Sequence, residues 1–127
     1  MTSYIIDTWA WVEYFRGSDI GRRARPRIEN SNNITPTIVL AEMSQKFRQL
    51  GRSDLPEKLS FIRQRSSILP LDEPIALLAG EIRANVPVQG MGLVDCILLA
   101  ASRLYSAKVV TGDPHFRDLA EAEFIGD

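Results

Sequence analysis

The stretch SYIIDTWAWVEYF, residues 3–15, changes from a short β-prone run to a helical pattern at Asp7. Outward from this unit, strand-like and helix-like segments keep alternating along the chain. The further β-prone runs are NNITP (32–36), SILPL (67–71), AKVV (107–110) and AEFI (122–125), the last a strand or an extended tail. Strands that alternate with helices favour parallel pairing through right-handed crossovers. We therefore expect an α/β fold in which helices cover both faces of a parallel sheet.

The helical segments are predicted from their periodicity and from residues that start or stop helices. Helices are predicted at residues 8–15, 19–30, 37–50, 54–66, 72–85 and 93–106. Gly17 and Pro26 are expected to interrupt the first two, and Gly51 is the residue expected just past the third. Asp54 opens a capping-box pattern, and Asp72 is expected to cap the helix that follows it.

Length and composition predict one ordinary globular domain over residues 1–127. The chain has a mass of 14.2 kDa, with 45% hydrophobic and 24% charged residues, and lacks an apolar run of about 18 residues that could span a membrane. No basic segment followed by an apolar one begins the sequence, so we expect no export. The single cysteine, Cys96, excludes an intramolecular disulfide and fits a reducing cytoplasm.

The net charge of −1 argues against a protein that coats nucleic acid without specificity. Arginine nevertheless makes up 12 of the 15 basic residues, and four arginines cluster in the segment GRRARPR, residues 21–27. Two interpretations stay open for this segment. It is a solvated helix face broken by a proline, or a site where guanidinium groups hold RNA or an acidic peptide such as a protein partner.

Four acidic residues lie where an α/β sheet places its ligands. Asp7 ends the first strand, and Asp113 follows the AKVV strand closely. Asp95 lies in the first turn of the helix in GLVDCILLAA, residues 92–101, and Glu42 lies on the rim of the helix over 37–50. Each has an ordinary alternative: a helix cap for Asp7 and Asp95, a turn for Asp113, an exposed helix position for Glu42. Together they predict an acidic cluster at one edge of the sheet.

Clustered carboxylates repel one another, and a divalent cation removes that repulsion. Oxygen ligands suit Mg²⁺, whereas a zinc site is excluded because His115 and Cys96 are single residues of their kinds. A carboxylate-bound metal open to solvent favours phosphodiester hydrolysis. Chemistry that needs two histidines is excluded by count, and a Ser/His/Asp triad could form only through His115, for which no nucleophile stands out.

At these residues the sequence resembles a PIN domain, and within that family it most resembles the VapC-like toxin ribonucleases of prokaryotic toxin–antitoxin modules. The matching pieces are YIIDT, TIVLAEM, LVDCILLAAS and VVTGDPHF, in family order over nearly the whole chain. The resemblance implies a three-layer α/β/α sandwich with a central parallel sheet of four to five strands. It also implies an endoribonuclease dependent on Mg²⁺ or Mn²⁺, a homodimer, and inhibition by a small antitoxin encoded beside it.

The resemblance also implies a role for individual residues. Asp7 and Asp95 would be the principal metal ligands, and Glu42 and Asp113 would complete the acidic site. Thr111 would orient a carboxylate or the attacking water through its hydroxyl. Glycine at position 112, between Thr111 and Asp113, is expected to loosen the loop that holds Asp113.

Other interpretations compete with a nuclease. A haloacid-dehalogenase-like phosphatase needs a second Asp where this chain has Trp9, and a phospho-receiver domain needs a lysine at the end of a late strand, whereas Lys108 begins one. A PIN-like module that binds RNA or protein without cutting stays open. We further expect a surface or loop role for His115, a packing role for Met91, and burial of one residue of the pair Trp9 and Trp11.

Overall fold

The structure, a computed structural model, describes residues 2–29, 32–85 and 89–127, and within them strands and helices alternate as predicted. Asn30, at the end of the predicted second helix, lies outside these residues. The strands are β1 Ser3–Ile6, β2 Asn33–Pro36, β3 Ser67–Leu69, β4 Ala107–Thr111 and β5 Ala122–Phe124. The α-helices are α1 Thr8–Arg16, α2 Asp19–Glu29, α3 Thr37–Gln49, α4 Leu55–Arg65, α5 Glu73–Ala84 and α6 Leu93–Tyr105, and a short 3₁₀ helix covers Pro114–Phe116.

The described strands form one parallel sheet in the order β3-β2-β1-β4-β5. The chain first steps from β1 to β3 in one direction, then returns to the other side of β1. Because such crossovers are right-handed, the first steps place α1 to α4 on one face and the return places α5 and α6 on the other. The predicted three-layer α/β/α architecture is thereby confirmed. Strand order reverses between β1 and β4, which is where α/β folds bind ligands.

Apolar side chains from all three layers form the core. Ile5 and Ile6 of β1 are fully buried, and so is Trp11 of α1, whereas Trp9 is 42% exposed. One member of the tryptophan pair is therefore core, as expected. Trp11 stacks on Phe15, and its indole Nε1 donates to the buried Thr35 hydroxyl over 3.0 Å. The helix predicted over 93–106 is also part of the core, because every residue from 96 to 102 is buried.

The structure corrects the expected break at Pro26, because α2 continues through this residue to Glu29. A proline inside a helix removes one backbone hydrogen bond and costs about 3 kcal/mol. The buried face of α2, which includes Ala24 and Ile28, offsets that cost by keeping the helix packed against the domain. Beside the proline, the Arg27 guanidinium donates to the Arg23 carbonyl over 3.0 Å.

The clustered arginines of α2 pair with carboxylates of the same chain. Two pairs lie within the helix, and two reach the C-terminal segment. The pairs are Arg22 with Asp19, Arg25 with Glu29, Arg27 with Glu123 and Arg23 with Asp127. The structure therefore fits the solvated helix face better than a free cationic site.

Helix ends agree with the sequence in most places. Gly51 follows α3 with φ +66°, and the Asp72 side chain accepts from the Ile75 amide over 3.1 Å, both as expected. Asp54 begins α4 but makes no side-chain cap, because its carboxylate binds the Arg52 guanidinium instead. Leu50, the last residue of the helix predicted over 37–50, lies past the last helical turn and is 64% exposed. Among the described residues, each helix is too short or too polar to cross a membrane.

Candidate metal centre

A cleft of about 400 Å³ opens at the carboxyl ends of β1 and β4, where strand order reverses. Helices α1, α3 and α6 form its walls. All four acidic residues singled out in the sequence line it: Asp7, Glu42, Asp95 and Asp113. The structure thus brings together side chains that are up to 106 positions apart in the sequence.

Asp7 lies between β1 and α1 and is only 6% exposed. Its Oδ1 accepts from the Ala10 amide over 2.7 Å, so the residue does cap α1. Burial raises the pKa of Asp7 to about 7, and the charges of Asp113 and Glu42 add to the shift, whereas hydrogen bonding from Thr111 and Ala10 opposes it. The capping hydrogen bond therefore holds the Asp7 carboxylate in the cleft, where burial disfavours its ionised form.

Asp95 is the third residue of α6, and its Oδ2 accepts from the Gly92 amide over 3.3 Å. This bond closes the first turn of the helix. Desolvation raises the pKa of Asp95, the Gly92 amide opposes the shift, and the Asp113 charge adds to it. Asp95 is therefore also both a capping residue and a member of the acidic cleft.

Glu42 lies on the rim of α3, as predicted, and Thr8 holds it in place. The Thr8 hydroxyl donates to Glu42 Oε1 over 2.6 Å, across 34 positions of sequence. Thr8 is also the first residue of α1. The structure adds that this side chain aims the carboxylate of another helix into the cleft.

Asp113 lies on the loop after β4 with two well-defined neighbours. Its Oδ1 accepts from the His115 amide and lies 2.9 Å from His115 Nδ1, and its own amide donates to the buried Thr111 hydroxyl over 3.0 Å. His115 thereby comes close to Asp95 and Asp113, with one ligand atom of each of the three within 4.8 Å of the others. The surface or loop role expected for His115 is therefore incomplete, since this side chain adjoins the acidic cleft.

The donor set fits a hard divalent cation. Carboxylate oxygens predominate. Burial is the main cause that raises the pKa of Asp7 and Asp95, and neighbouring carboxylate charges add to it, so a cation would stabilise the ionised forms. One oxygen of Asp7 and one of Asp95 are used by helix caps, which leaves the second oxygen of each for a ligand. Capping and metal binding are thus compatible in this arrangement.

Three further features of the cleft were not anticipated from the sequence. Lys46 and Arg16 contribute cations to its lining, and Trp9 lies at its edge. The Trp9 indole packs on Gly112 so closely that a Cβ at that position would lie 2.8 Å from Nε1. Gly112 therefore makes room for an aromatic ring beside Asp113, a reason for glycine that differs from a loosened loop. Lys46 follows Glu42 by four positions, so helical spacing alone could have found it.

Fold and cleft together define a class of protein: a three-layer α/β/α domain that gathers carboxylates at the point where a parallel sheet reverses its strand order. The model of the PIN domain family matches residues 4–122. The chain therefore belongs to the PIN domain family, which confirms the resemblance found in the sequence. A comparison with curated protein sequences gives no significant match.

Solved structures with a similar fold include toxin–antitoxin proteins. A chain from a toxin–antitoxin complex of Klebsiella pneumoniae superposes with a TM-score of 0.78 at 16% identity, covering 98% of both chains. A chain of VapBC2 from Rickettsia felis, bound to a promoter DNA fragment, gives 0.73 at 19% identity over 95% of this chain and 96% of that one. VapC20 from Mycobacterium tuberculosis, a sarcin–ricin loop cleaving toxin, gives 0.72 at 15% identity over 94% and 98%. These TM-scores, over nearly the full length of each chain, establish a shared fold.

Proposed function

We propose that this PIN domain protein is a metal-dependent endoribonuclease and the toxin of a toxin–antitoxin pair. The observation that carries the proposal is the convergence of four carboxylates in one cleft, where burial raises the pKa of Asp7 and Asp95. Burying ionisable carboxyl groups side by side costs stability, and carboxylates with perturbed pKa values in a cleft are typical of functional sites. RNA is the proposed substrate, with cleavage leaving 5′-phosphate and 3′-hydroxyl ends.

Asp7 and Asp95 are the proposed principal ligands of Mg²⁺ or Mn²⁺, and Glu42 and Asp113 complete the acidic site. When bound, the ion offsets the carboxylate charge, lowers the pKa of a water molecule and stabilises charge on the phosphate. The chain contributes rigid placement of these groups. The Ala10 amide fixes Asp7, the Gly92 amide fixes Asp95, and the Thr8 hydroxyl fixes Glu42.

Thr111 and His115 are proposed to assist from the loop after β4. Thr111 is fully buried, its hydroxyl accepts from the Asp113 backbone amide, and its hydrogen bonding to Asp7 lowers the pKa of that carboxyl, so it positions the Asp113 loop and the Asp7 carboxylate. His115 lies against Asp113 with its side chain 41% exposed, where an imidazole nitrogen can donate to a phosphate oxygen. The carboxylates that these two residues contact also accept hydrogen bonds from backbone amides, Asp7 from Ala10 and Asp113 from His115.

The proposed partners are an antitoxin and a second copy of this chain, acting in the cytoplasm where RNA is available. Similar folds in toxin–antitoxin and DNA-bound complexes support the first partner. Leucines exposed on α5 and α6, namely Leu77, Leu93 and Leu104, support the second because they leave apolar surface uncovered. Sedimentation of the purified chain should give the mass of a dimer, and a monomer at micromolar concentration would contradict that expectation.

The test of the function is RNA cleavage by the purified chain, freed of any bound partner. We expect fragments from total RNA with Mg²⁺, none with EDTA, and at least a hundred-fold loss in Asp7→Asn and Asp95→Asn, because each variant removes a proposed ligand charge. Asp19→Asn is the matched control, since Asp19 is an exposed aspartate at the start of α2. Fragment ends should accept ligation without prior phosphorylation.

The alternative is a PIN-like module that binds RNA or protein without turnover. It predicts RNA retention with no new fragments at any metal concentration. Cleavage that persists equally in EDTA, or in both Asp variants, would instead indicate a contaminating nuclease and remove the basis of the proposal.

A further inference from the structure

A second cavity continues the acidic cleft outward between α1 and α3. It has a volume of about 230 Å³ and shares Val12, Arg16 and Lys46 with the cleft. Phe15, Phe47, Leu50 and Arg52 form the remainder of its lining. We call this cavity the α1–α3 groove. Because the two cavities share three residues, a chain molecule seated in the cleft has a direct path into the groove.

The groove combines an apolar floor with cations along its length. Phe47 lies at the floor, and the Arg52 guanidinium stacks over its ring at 5.1 Å from the centroid. Leu50 is 64% exposed at the outer end, so its side chain is accessible for an apolar contact. Lys46 lines both cavities and forms no salt bridge within the described part of the chain, so its charge is available to a ligand, whereas Arg16 pairs with Glu13 over 3.2 Å.

The spacing along α3 matches a ligand that enters from the acidic site. At 1.5 Å per residue, Lys46 lies about 6 Å from Glu42 along the helix axis, and Leu50 lies about 12 Å from it. Proceeding outward from the carboxylates, a ligand therefore meets a cation and then an apolar surface. The described residues that line the groove include no carboxylate.

We propose that the α1–α3 groove seats the RNA segment that flanks the scissile phosphate, an inference that rests on the proposed function. Lys46 and Arg16 contact the adjoining phosphate, and a base lies against Leu50 and the Arg52 guanidinium that covers the Phe47 ring. Alternating phosphate and base groups complement this order of cations and apolar surface. A purely apolar peptide segment would leave the Lys46 charge without a partner.

The experiment measures affinity for a fluorescently labelled single-stranded RNA by anisotropy, in the Asp7→Asn background with Mg²⁺ so that turnover does not interfere. Lys46→Met should bind about ten-fold more weakly at low salt. The slope of log affinity against log salt should become shallower by about 0.7, the value for one lost phosphate contact in single strands. Lys108→Met should leave both quantities unchanged, because Lys108 is an exposed lysine at the start of β4, at the opposite edge of the sheet.

Leu50→Ser separates the apolar contact from the charge. This variant should weaken binding several-fold with an unchanged salt slope, and it should fold normally because Leu50 is exposed beyond the last turn of α3. Circular dichroism of each variant checks the fold.

Two results would overturn the proposal: no RNA binding by the Asp7→Asn parent, or unchanged affinity and slope in both groove variants. The second result would indicate that the groove binds a protein segment and not RNA. Failure of the proposed nuclease function would give a different result. The chain with Asp7 intact would then bind RNA through Lys46 and Leu50 but would not cleave it.

Discussion

At the scale of single residues, the acidic cleft is a compromise between local structure and electrostatics. Asp7 is needed at the start of α1, where the Ala10 amide requires an acceptor. The same position is buried, and burial opposes the charge that makes the residue a good acceptor. A cation in the cleft would remove this conflict.

The pKa of Asp7 predicts a pH dependence for the stability of the metal-free protein. Because folding raises this pKa from 3.8 to about 7, the folded state holds more protons between those values, and stability falls as the pH rises through that window. Urea unfolding in EDTA should show that the free energy of unfolding of the parent chain, relative to that of Asp7→Asn, falls as the pH rises. Three pKa units correspond to at most about 4 kcal/mol.

The comparison with Asp7→Asn cancels the titration of all other groups. The asparagine keeps an oxygen acceptor for Ala10 and carries no charge. If the free-energy difference between the two proteins is constant from pH 4 to 7, the carboxylate is not perturbed as described. Mg²⁺ should restore stability to the parent chain above pH 7 and have little effect on the variant.

Thr8 offers a test of positioning in the cleft. Thr8→Val removes the hydroxyl that holds Glu42 at 2.6 Å and keeps the shape of the side chain. We expect about ten-fold weaker Mn²⁺ binding by calorimetry, because partners of ligand carboxylates typically contribute ten- to a hundred-fold. Thr8→Ser should retain most of the affinity. Equal losses in the valine and serine variants would argue against a role for the hydroxyl.

Some residues of the cleft were predictable and others were not. Asp7, Asp95 and Asp113 follow from one rule, that ligands meet the carboxyl ends of parallel strands. The Thr8 and Glu42 pair joins two helices, and His115 reaches Asp95 through a loop. Neither contact has a local signature, because both depend on how distant segments pack.

At the scale of elements, close approach of α1 and α2 depends on a single glycine. A Cβ at Gly21 would lie 2.1 Å from the Glu13 carbonyl oxygen and 2.9 Å from Tyr14 Cα. Gly21→Ala should therefore push the helices apart and cost about 1 to 3 kcal/mol in urea unfolding.

Gly80→Ala is the matched control for this substitution. Gly80 also lies within a helix, α5, but a Cβ there meets no atom within 4 Å. Alanine has the higher helix propensity, so this variant should gain about 0.5 to 1 kcal/mol. Effects of the same sign in the two variants would show that propensity, and not the packing of α1 on α2, governs position 21.

The existence and type of these elements followed from periodicity and from residues at helix ends. The errors occurred where tertiary contacts override local preference. Pro26 is tolerated within α2 because the helix packs on both sides of it, and Asp54 binds Arg52 although its spacing suits a cap. Local rules describe what a segment prefers, whereas packing determines which preference is satisfied.

At the scale of the whole molecule, a salt bridge joins α2 to the C-terminal strand β5. Arg27 pairs with Glu123 of β5, and both side chains are about 30% exposed. A double-mutant cycle with Arg27→Met and Glu123→Gln should give a coupling of about 0.5 to 1 kcal/mol that weakens with salt. The pair Arg22 and Asp19 is far more exposed, and its coupling should be within error of zero. Equal coupling in the two pairs would contradict this assignment.

The order of strands is the feature of the whole molecule that local patterns did not provide. Alternating elements predict a parallel sheet with helices on both faces, but the reversal between β1 and β4 is a choice among several permitted orders. The structure provides that choice. Once the order is known, the position of the cleft follows.

The seating of Trp9 on Gly112 gives the protein a built-in optical reporter. The two described tryptophans differ in exposure. Trp11 is fully buried, whereas Trp9 borders the acidic cleft and is 42% exposed. Acrylamide should quench the emission of one indole and spare the other. Occupancy of the cleft can therefore be followed by intrinsic fluorescence, without any label, while the protected indole monitors unfolding in the same cuvette.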